Sequence, residues 1–260
     1  MPCALRSALE EELSHLVEAD IISPVVYSQW TAPIVVIKKG NDKIRVCADS
    51  LMGLNAAIDI HQFPLPTPDD IFATLDGEAF FSHPGLSNAY LQIGVNEPSK
   101  QLLVINTNLG LFQYNRLPFG VNSALTIFQQ VMSQTISGIP GVVTYLDGIL
   151  VSAKTRGEHL QRLRAVLLRL KPFGFCQRNK KCTFLAKSVK YLGFILDLKG
   201  ISPDPDKVAA IKQMLIPTNL MSLRSYLGFV NYYAKFVLQI YKLRAPLEKL
   251  LHKTPNFDGQ

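Results

Sequence analysis

Apolar residues recur along this chain at two different periods, which predict helices and strands in alternation. Leu9, Leu13, Leu16 and Val17 fall at helical spacing, and this helix is expected to end before the proline at position 24. A second apolar stripe is formed by four leucines and is expected to end at a glycine C-cap: Leu160, Leu163, Leu167, Leu170 and Gly174. Further helices are predicted at 68 onward, 122–136, 208–214, 224–236 and 243–251.

Runs of β-branched and aromatic residues predict strands between these helices. Residues 34–37 and 44–47 flank a Gly-Asn-Asp turn and indicate a hairpin, as do residues 102–106 and 111–114 around a second turn. Leu91, Ile93 and Val95 alternate with polar or small residues, which predicts a half-buried strand. Another strand is predicted from Tyr191 to Leu196.

The strongest hairpin signal lies at residues 142–152, where two apolar runs are joined by Asp147-Gly148. Asp-Gly between β-branched runs favours a two-residue turn, because glycine accepts the positive φ that such a turn needs. One carboxylate is therefore expected at the tip of a buried hairpin. By itself, Asp147 fits either a turn former or a ligand for a cation.

Composition narrows the class of protein. Hydrophobic residues make up 48% of the 260 residues, which excludes a disordered chain and allows one large domain or two modest ones. The four cysteines, at 3, 47, 176 and 182, form no Cys-x-x-Cys pair, which favours buried thiols in a reducing compartment. Neither a signal peptide nor an apolar run of about 20 residues is present, so we expect a cytosolic or nuclear protein with no membrane contact.

The net charge of +7 is unevenly distributed. Between Lys154 and Lys190 there are eleven Lys or Arg residues and one acid, Glu158, a local charge of about +10. The remaining sixteen basic and nineteen acidic residues sum to about −3. Such a segment suits a polyanion such as nucleic acid, and it equally suits a solvated helix face with its loops.

Five sequence blocks occur in an order that resembles the reverse transcriptase of gypsy-class LTR retrotransposons, from about residue 4 to about residue 251. The blocks are 87–93, 117–132 (Leu-Pro-Phe-Gly-Val-Asn-Ser-Ala, then Phe-Gln-Gln-Val-Met), 145–148 (Tyr-Leu-Asp-Gly), 191–194 (Tyr-Leu-Gly-Phe) and 223–233. The resemblance implies an α+β fold with a palm, fingers and a helical C-terminal thumb or connection region. It divides the chain into an N-terminal helix (1–23), fingers and palm (24–200) and the helical region (201–260), without RNase H or integrase modules.

The resemblance also implies a metal centre that this chain has largely lost. In the family three Asp residues bind two Mg²⁺ ions, and here Gly85 and Gly148 stand at two of those positions, which leaves Asp147 as the catalytic and metal-binding residue. Two-metal chemistry needs charged oxygen ligands, which glycine side chains cannot supply. The upstream acids Asp76 and Glu78 are too far along the chain to substitute. Pro84 should also interrupt pairing in the strand that carries Gly85.

Other residues are assigned to nucleotide and primer by resemblance alone. Those expected at the incoming dNTP are Lys39 (or Lys38), Arg45, Tyr90 and Phe119, and the turn expected to grip the primer is Leu192-Gly193. The implied partners are an RNA or DNA template-primer and dNTP. Each residue also has a simpler interpretation, as an exposed charge, a packed ring or a turn residue.

Four hypotheses follow from these observations, and the one they favour least is an active polymerase that uses an altered site. The first is a reverse transcriptase-like domain whose RNA-directed DNA polymerase activity is lost or nearly so. The second is a non-enzymatic module that binds nucleic acid or a protein partner. The third is a translated relic without a function of its own, which scattered departures from the family pattern favour.

Overall fold

The structure, a computed structural model, describes residues 6–38, 44–49, 53–59, 61–75 and 77–251. Its helices are α1 (Arg6–Glu18), α2 (Leu54–Ala57), α3 (Pro68–Leu75), α4 (Glu97–Lys100), α5 (Ala124–Ile136), α6 (Arg156–Leu170), α7 (Pro205–Lys212), α8 (Leu220–Tyr232) and α9 (Ile240–Leu251). Its strands are β1 (Ile22–Val25), β2 (Ala32–Lys38), β3 (Ile44–Ala48), β4 (Phe80–His83), β5 (Val104–Thr107), β6 (Gly110–Tyr114), β7 (Val142–Tyr145), β8 (Gly148–Ala153), β9 (Thr183–Ala186), β10 (Ser188–Tyr191), β11 (Phe194–Asp197) and β12 (Gly200–Pro203).

The first sheet combines strands from distant parts of the chain in the order β1-β6-β5-β2-β3. The β2–β5 pair is parallel, and the other pairs are antiparallel. Helix α1 covers this sheet with Leu9, Leu13 and Leu16, all buried, which confirms the predicted stripe, whereas Val17 is exposed. The α1 helix and the first sheet therefore share one core.

The second sheet has the order β7-β8-β4-β9, and apolar cores lie on both faces of its strand β8. Every residue of β8 is buried. Ile149 and Val151 pack in the core formed with α5 and α6, while Leu150 packs in the core formed with α3 and the third sheet. Apolar side chains on both faces of one strand explain why its sequence is continuously apolar rather than alternating.

The third sheet, β10-β11-β12, lies beside α3 and the C-terminal helices. The single strand predicted from Tyr191 to Leu196 is wrong, because Leu192 and Gly193 form a two-residue turn with φ of 50° and 76° between β10 and β11. Two successive positive φ values are typical of the tight turns that join antiparallel strands. Leu192-Gly193, expected from the resemblance to be a turn, does form one, and its role in gripping a primer stays a prediction.

The half-buried strand predicted through Leu91, Ile93 and Val95 is also wrong. Residues Ala89–Gln92 form a short 3-10 helix that follows Asn88, whose φ of 46° is left-handed. The turn is closed locally, since the Leu91 N–H donates to the Asn88 carbonyl at 2.9 Å. Local hydrogen bonds therefore override the alternating pattern.

The buried face of α6 differs from the predicted leucine stripe. It consists of His159, Leu163, Val166 and Leu170. Leu160 and Leu167 are exposed to 45% and 38%. The buried position of His159 has a specific cause, a 2.7 Å hydrogen bond between its Nε2 and the buried Ser82 Oγ on β4. Gly174 does adopt the left-handed conformation expected of a C-cap, one 3-10 turn after the helix.

Two predictions from composition have different outcomes. The prediction of buried thiols is wrong for Cys176, which is exposed. Cys47 and Cys182 are partly exposed, and Cys3 lies outside the described residues. None of the helices in the described part of the chain has the length and apolar character that crossing a membrane needs.

The α+β class with palm, fingers and helical C-terminal region is confirmed. The proposed boundaries at 23 and 200 both fall in strands, and that division stays a prediction.

Candidate functional site

The β7–β8 hairpin carries the predicted catalytic carboxylate, but its turn differs by one residue from the expectation. Tyr145 pairs with Gly148, so the two turn residues are Leu146 and Asp147. The positive φ, 54°, belongs to Leu146 and not to Gly148, which is a correction of the predicted turn. Asp147 is exposed at the tip, as expected. A branched side chain in the left-handed region is strained, so other contacts must hold this turn.

Gln129 on α5 supplies those contacts and was not assigned a role from the sequence. Its Oε1 accepts from the Leu146 N–H at 2.8 Å, and its Nε2 donates to the Thr144 carbonyl at 3.0 Å. The side chain is 1% exposed. A glutamine on the inner face of a helix must find hydrogen-bond partners, and that was the available signal, since Phe128-Gln129 lies in one of the five blocks.

Strand β4, which faces the hairpin, is interrupted at Pro84, as the sequence predicts. Strand β4 ends at His83, and its register against β9 shifts between Phe81 and His83. Beyond Pro84, pairing resumes only as isolated bridges, Gly85 with Gly148 and Leu86 with Gln177. The predicted loss of regular pairing is confirmed, and the two glycines nevertheless face each other.

The residues at this site do not fit a two-metal centre. Gly85 and Gly148 offer no side-chain oxygen, and Asp147 is the one acid among the three family positions. Across the described residues no cluster of three or more His, Cys, Asp or Glu side chains is arranged to hold a metal ion. Glu78 is buried and pairs with Arg162 at 3.1 Å, and Asp76 lies outside the described residues.

The two glycines differ in the space around them. A Cβ added at Gly148 would lie 3.2 Å from His83 Nε2 and 3.3 Å from a ring carbon of Tyr191, which are tight but adjustable contacts. A Cβ added at Gly85 would lie 2.6 Å from the Lys181 carbonyl oxygen, a contact that needs the backbone to move. The space that a side chain at 85 would need is thus filled by protein, and the space at 148 is not.

Asp147 acts electrostatically on the groups around it. Burial lowers the pKa of the His83 imidazole, and the Asp147 carboxylate opposes that shift. Burial raises the pKa of the Tyr90 hydroxyl, with a further contribution from Asp147. Burial and then Asp147 also raise the pKa of Tyr191, whose hydroxyl donates to the Gly148 carbonyl at 3.4 Å. Neutral histidine and tyrosine side chains surround the single carboxylate.

Three of the predicted nucleotide-binding residues lie in one stack. The Arg45 guanidinium lies 4.7 Å from the centre of the Phe119 ring. Phe119 meets Tyr90 edge to face at 5.2 Å, and Tyr90 meets the buried Phe128 at 5.1 Å. Lys39 lies outside the described residues, and Lys38 is exposed at the end of β2. The sequence blocks therefore converge beside the Asp147 hairpin, with the role of each residue still a prediction.

The Leu192-Gly193 turn is held by the end of α8 and the residue that follows it. The Tyr232 hydroxyl donates to the Leu192 carbonyl at 2.7 Å, and the Tyr233 hydroxyl donates to the Gly193 carbonyl at 3.0 Å. The hydroxyl of the adjoining Tyr191 donates to the Gly148 carbonyl on the β7–β8 hairpin. Three tyrosines thus fix the predicted primer-grip turn relative to the hairpin tip.

The basic segment contains cations that contact other groups of the protein and further cations at the surface. Arg162 and Arg169 donate to backbone carbonyls, and Lys190, which is exposed, pairs with Asp204 at 2.9 Å. Lys187 lies over the Phe80 ring at 3.5 Å. Seven further cations are exposed: Lys154, Arg156, Arg164, Lys171, Arg178, Lys180 and Lys181. The excess charge is therefore available to solvent mainly around α6 and after it.

Comparison with known proteins identifies relatives of the whole chain. Residues 36–196 match the family model described as reverse transcriptase (RNA-dependent DNA polymerase). An uncharacterized protein of Caenorhabditis elegans is 43% identical over 239 residues, covering 91% of this chain and 19% of that protein. The retrovirus-related Pol polyprotein from transposon opus of Drosophila melanogaster is 30% identical over 256 residues, covering 96% of this chain and 25% of that protein. The chain thus spans a quarter or less of the length of these relatives.

A solved structure shares the fold. The foamy viral protease-reverse transcriptase dRH in complex with double-stranded DNA superimposes with a TM-score of 0.89 at 23% sequence identity. The match covers 96% of this chain and 44% of that one. The arrangement of sheets and helices described above is therefore that of a polymerase palm with fingers.

Proposed function

The chain belongs to the reverse transcriptase (RNA-dependent DNA polymerase) family, and from this premise we propose that it is a gypsy-class retrotransposon domain that has lost polymerase activity. The match to Pol polyproteins of transposons supports its origin, and the order of the five blocks supports the gypsy class. The proposal concerns this domain and leaves the activities of a longer polyprotein aside.

The observation that carries the proposal is the Gly85–Gly148 bridge. Nucleotidyl transfer by two metal ions depends on carboxylates that fix both ions and neutralise the developing charge. Here two glycines face each other at that place, and Asp147 is exposed beside them. A single carboxylate in contact with solvent would bind Mg²⁺ weakly at best.

The remaining parts of the site support binding of nucleic acid and nucleotide without catalysis. The stack of Arg45, Phe119 and Tyr90 presents a cation and ring edges beside the hairpin, where the family places the incoming dNTP. The turn at Leu192-Gly193 remains rigidly attached. We therefore infer that an RNA or DNA template-primer is the partner this surface would take.

A non-enzymatic binding module is the second candidate, and the exposed cations favour it. Eight basic residues between Lys154 and Lys181 are exposed. Salt-dependent affinity for nucleic acid, measured by filter binding, would favour this candidate over a relic. A cytosolic or nuclear location remains part of the proposal.

Primer extension on an RNA template tests the loss of catalysis. The chain as given should yield no product above a blank with either Mg²⁺ or Mn²⁺. Gly148→Asp should not restore product, because the position at 85 stays empty of carboxylate. The proposal is overturned if the unmodified chain extends the primer and Asp147→Ala abolishes that product.

A further inference from the structure

The outer side of α6 carries leucines that its packing in the core does not explain. Leu160, Leu167 and Leu168 are exposed to 45%, 38% and 58%. Leu160 and Leu167 belong to the predicted leucine stripe, of which only Leu163 and Leu170 are buried. Single exposed leucines are common on protein surfaces, whereas an exposed apolar patch marks a contact with another molecule.

Six exposed residues on the outer side of α6 form one continuous surface, here called the α6 surface: Arg156, Leu160, Arg164, Leu167, Leu168 and Lys171. Each lies three or four positions from at least one other, and residues so spaced are neighbours on an α-helix. At 3.6 residues per turn, all six fall within an arc of about 120°. The leucines and the cations therefore share one side of the helix.

The α6 surface carries three cations and no acid. Arg156, Arg164 and Lys171 take part in none of the ion pairs found among the residues that the structure describes. The one acid of α6, Glu158, falls outside the arc and caps the helix, where it accepts from the Thr155 N–H at 3.3 Å. The α6 surface thus combines an apolar stripe with positive charge that no residue of α6 neutralises.

These two properties together favour a protein partner over other occupants. A nucleic-acid backbone presents phosphates to the cations and leaves the leucines without an apolar partner. A second copy that used the same surface symmetrically would place like charges against each other. A bilayer would receive only the tips of leucines that are 38% to 58% exposed, on a helix whose other face is fixed in the core.

We propose that the α6 surface binds an amphipathic helix of a partner protein whose apolar stripe is flanked by carboxylates. The partner's apolar side chains cover the three leucines, through positions three, four and seven apart on its own helix. Its Asp or Glu side chains pair with the three cations, which selects against neutral and basic helices. This inference concerns a protein contact and depends neither on nucleic-acid binding nor on the loss of polymerase activity.

Fluorescence anisotropy with a labelled synthetic peptide tests the proposal. The probe is a peptide of about 20 residues, long enough to form a helix, with leucines spaced three and four apart and glutamates on both sides of them. A second peptide of the same composition has its leucines rearranged so that they form no stripe. The unmodified chain should bind the first peptide at least about tenfold more tightly than the second.

Variants of the chain locate the contact. Leu160→Gln should weaken binding of the probe about three- to tenfold, because a half-exposed leucine is no longer buried in the complex. Arg164→Gln should weaken it by a similar factor and reduce its dependence on salt. Both positions are exposed and glutamine suits a helix, so the fold is retained.

Leu215→Gln is the matched control, since Leu215 is 91% exposed and lies outside α6. It should leave the affinity within about twofold of that of the unmodified chain. An equal loss in Leu160→Gln and Leu215→Gln overturns the docking site, as does equal affinity for the two peptides. Absence of binding to the probe up to about 1 mM also overturns it, and leaves the proposed nucleic-acid binding and loss of catalysis as they stand.

The same variants identify the other occupants. If Arg164→Gln weakens binding of an RNA–DNA duplex while Leu160→Gln changes binding of neither duplex nor peptide, the α6 surface binds phosphate. If the unmodified chain binds phosphatidylserine vesicles and Leu160→Gln does not, the surface belongs to a membrane. Dimers in analytical ultracentrifugation that Leu160→Gln abolishes would assign it to a second copy. Each of these three results overturns the proposed protein partner.

Discussion

At the scale of single residues, the two glycines at the predicted metal-ligand positions differ in what an added side chain would meet. A Cβ at Gly85 would meet the Cβ and backbone of Lys181, while a Cβ at Gly148 would meet mainly the side chains of His83 and Tyr191. Side chains can shift by a few tenths of an ångström, and a hydrogen-bonded backbone cannot do so cheaply. The same substitution should therefore be costly at one glycine and nearly neutral at the other.

Gly85→Ala should lower the free energy of unfolding by about 1–3 kcal/mol, because the added methyl group overlaps the Cβ and carbonyl of Lys181. Gly148→Ala is the matched control. Its backbone is not left-handed, so the gain from a less flexible unfolded chain offsets part of the tight contact and the change should stay below about 1 kcal/mol. Urea unfolding followed by circular dichroism measures both. An equal loss of stability in both variants would show that Lys181 is not packed on Gly85.

At the scale of elements, the central hairpin depends on α5 and on the tyrosines around α8. Gln129 holds the strained turn at Leu146, and Tyr232 and Tyr233 hold the turn at Leu192-Gly193. Both turns are thus positioned by helices rather than by their own sequences. A strained turn persists only where its surroundings determine it.

Gln129→Leu should destabilise the protein by about 1–3 kcal/mol, since the Leu146 N–H and the Thr144 carbonyl would lose their partner. Gln134→Leu, at an exposed position of the same helix, should change stability by less than about 0.5 kcal/mol. Chemical denaturation gives the difference. Amide hydrogen exchange at Leu146 should accelerate in the first variant only, and unchanged exchange would contradict the proposed role of Gln129.

At the scale of the whole molecule, buried histidines predict how stability depends on pH. Burial lowers the pKa of both His83 and His159 below the ordinary value of 6.5. The unfolded chain therefore binds these protons at a higher pH than the folded chain does. Their contribution to stability is complete above pH 6.5 and is lost as the pH falls from there through the lowered values.

When the protein is unfolded in urea at a series of pH values, the urea concentration at the midpoint should decrease as the pH is lowered below about 6.5. The double variant His83→Gln, His159→Gln should be less stable at neutral pH, and its midpoint should vary less between about pH 6.5 and pH 5. An identical pH dependence in the double variant would show that other groups cause the loss.

The sequence was sufficient to predict what depends on local chemistry. The central hairpin and the apolar stripe of α1 follow from turn residues and side-chain spacing, and the structure contains them. The turn at Leu192-Gly193 was expected from the family resemblance alone, and the structure contains a turn there. Long-range packing escaped prediction. The buried face of α6 is fixed partly by the bond from His159 to Ser82, 77 residues away, and no pattern near residue 159 reveals it.

The candidate site likewise has some features that the sequence predicts and others that only the folded structure shows. The sequence is sufficient to place glycines, Gly85 and Gly148, at two positions where the family resemblance predicts carboxylates. The filling of the space at one of them by Lys181 cannot be predicted, because it depends on a segment almost a hundred residues later meeting Gly85 in space. Steric contacts between distant segments require the folded structure.

The parallel pair in the first sheet bears on how the protein folds during synthesis. Ala32 and Pro33 can pair only after Ile105 and Asn106 have been synthesised. Ile22 can likewise pair only after Tyr114 has been synthesised. Contacts so distant in sequence form slowly, because closing a long loop costs entropy before any contact is gained. On the ribosome, the apolar face of α1 therefore stays incompletely covered until about residue 114 has emerged, and during that interval the nascent chain is most exposed to aggregation and to chaperones.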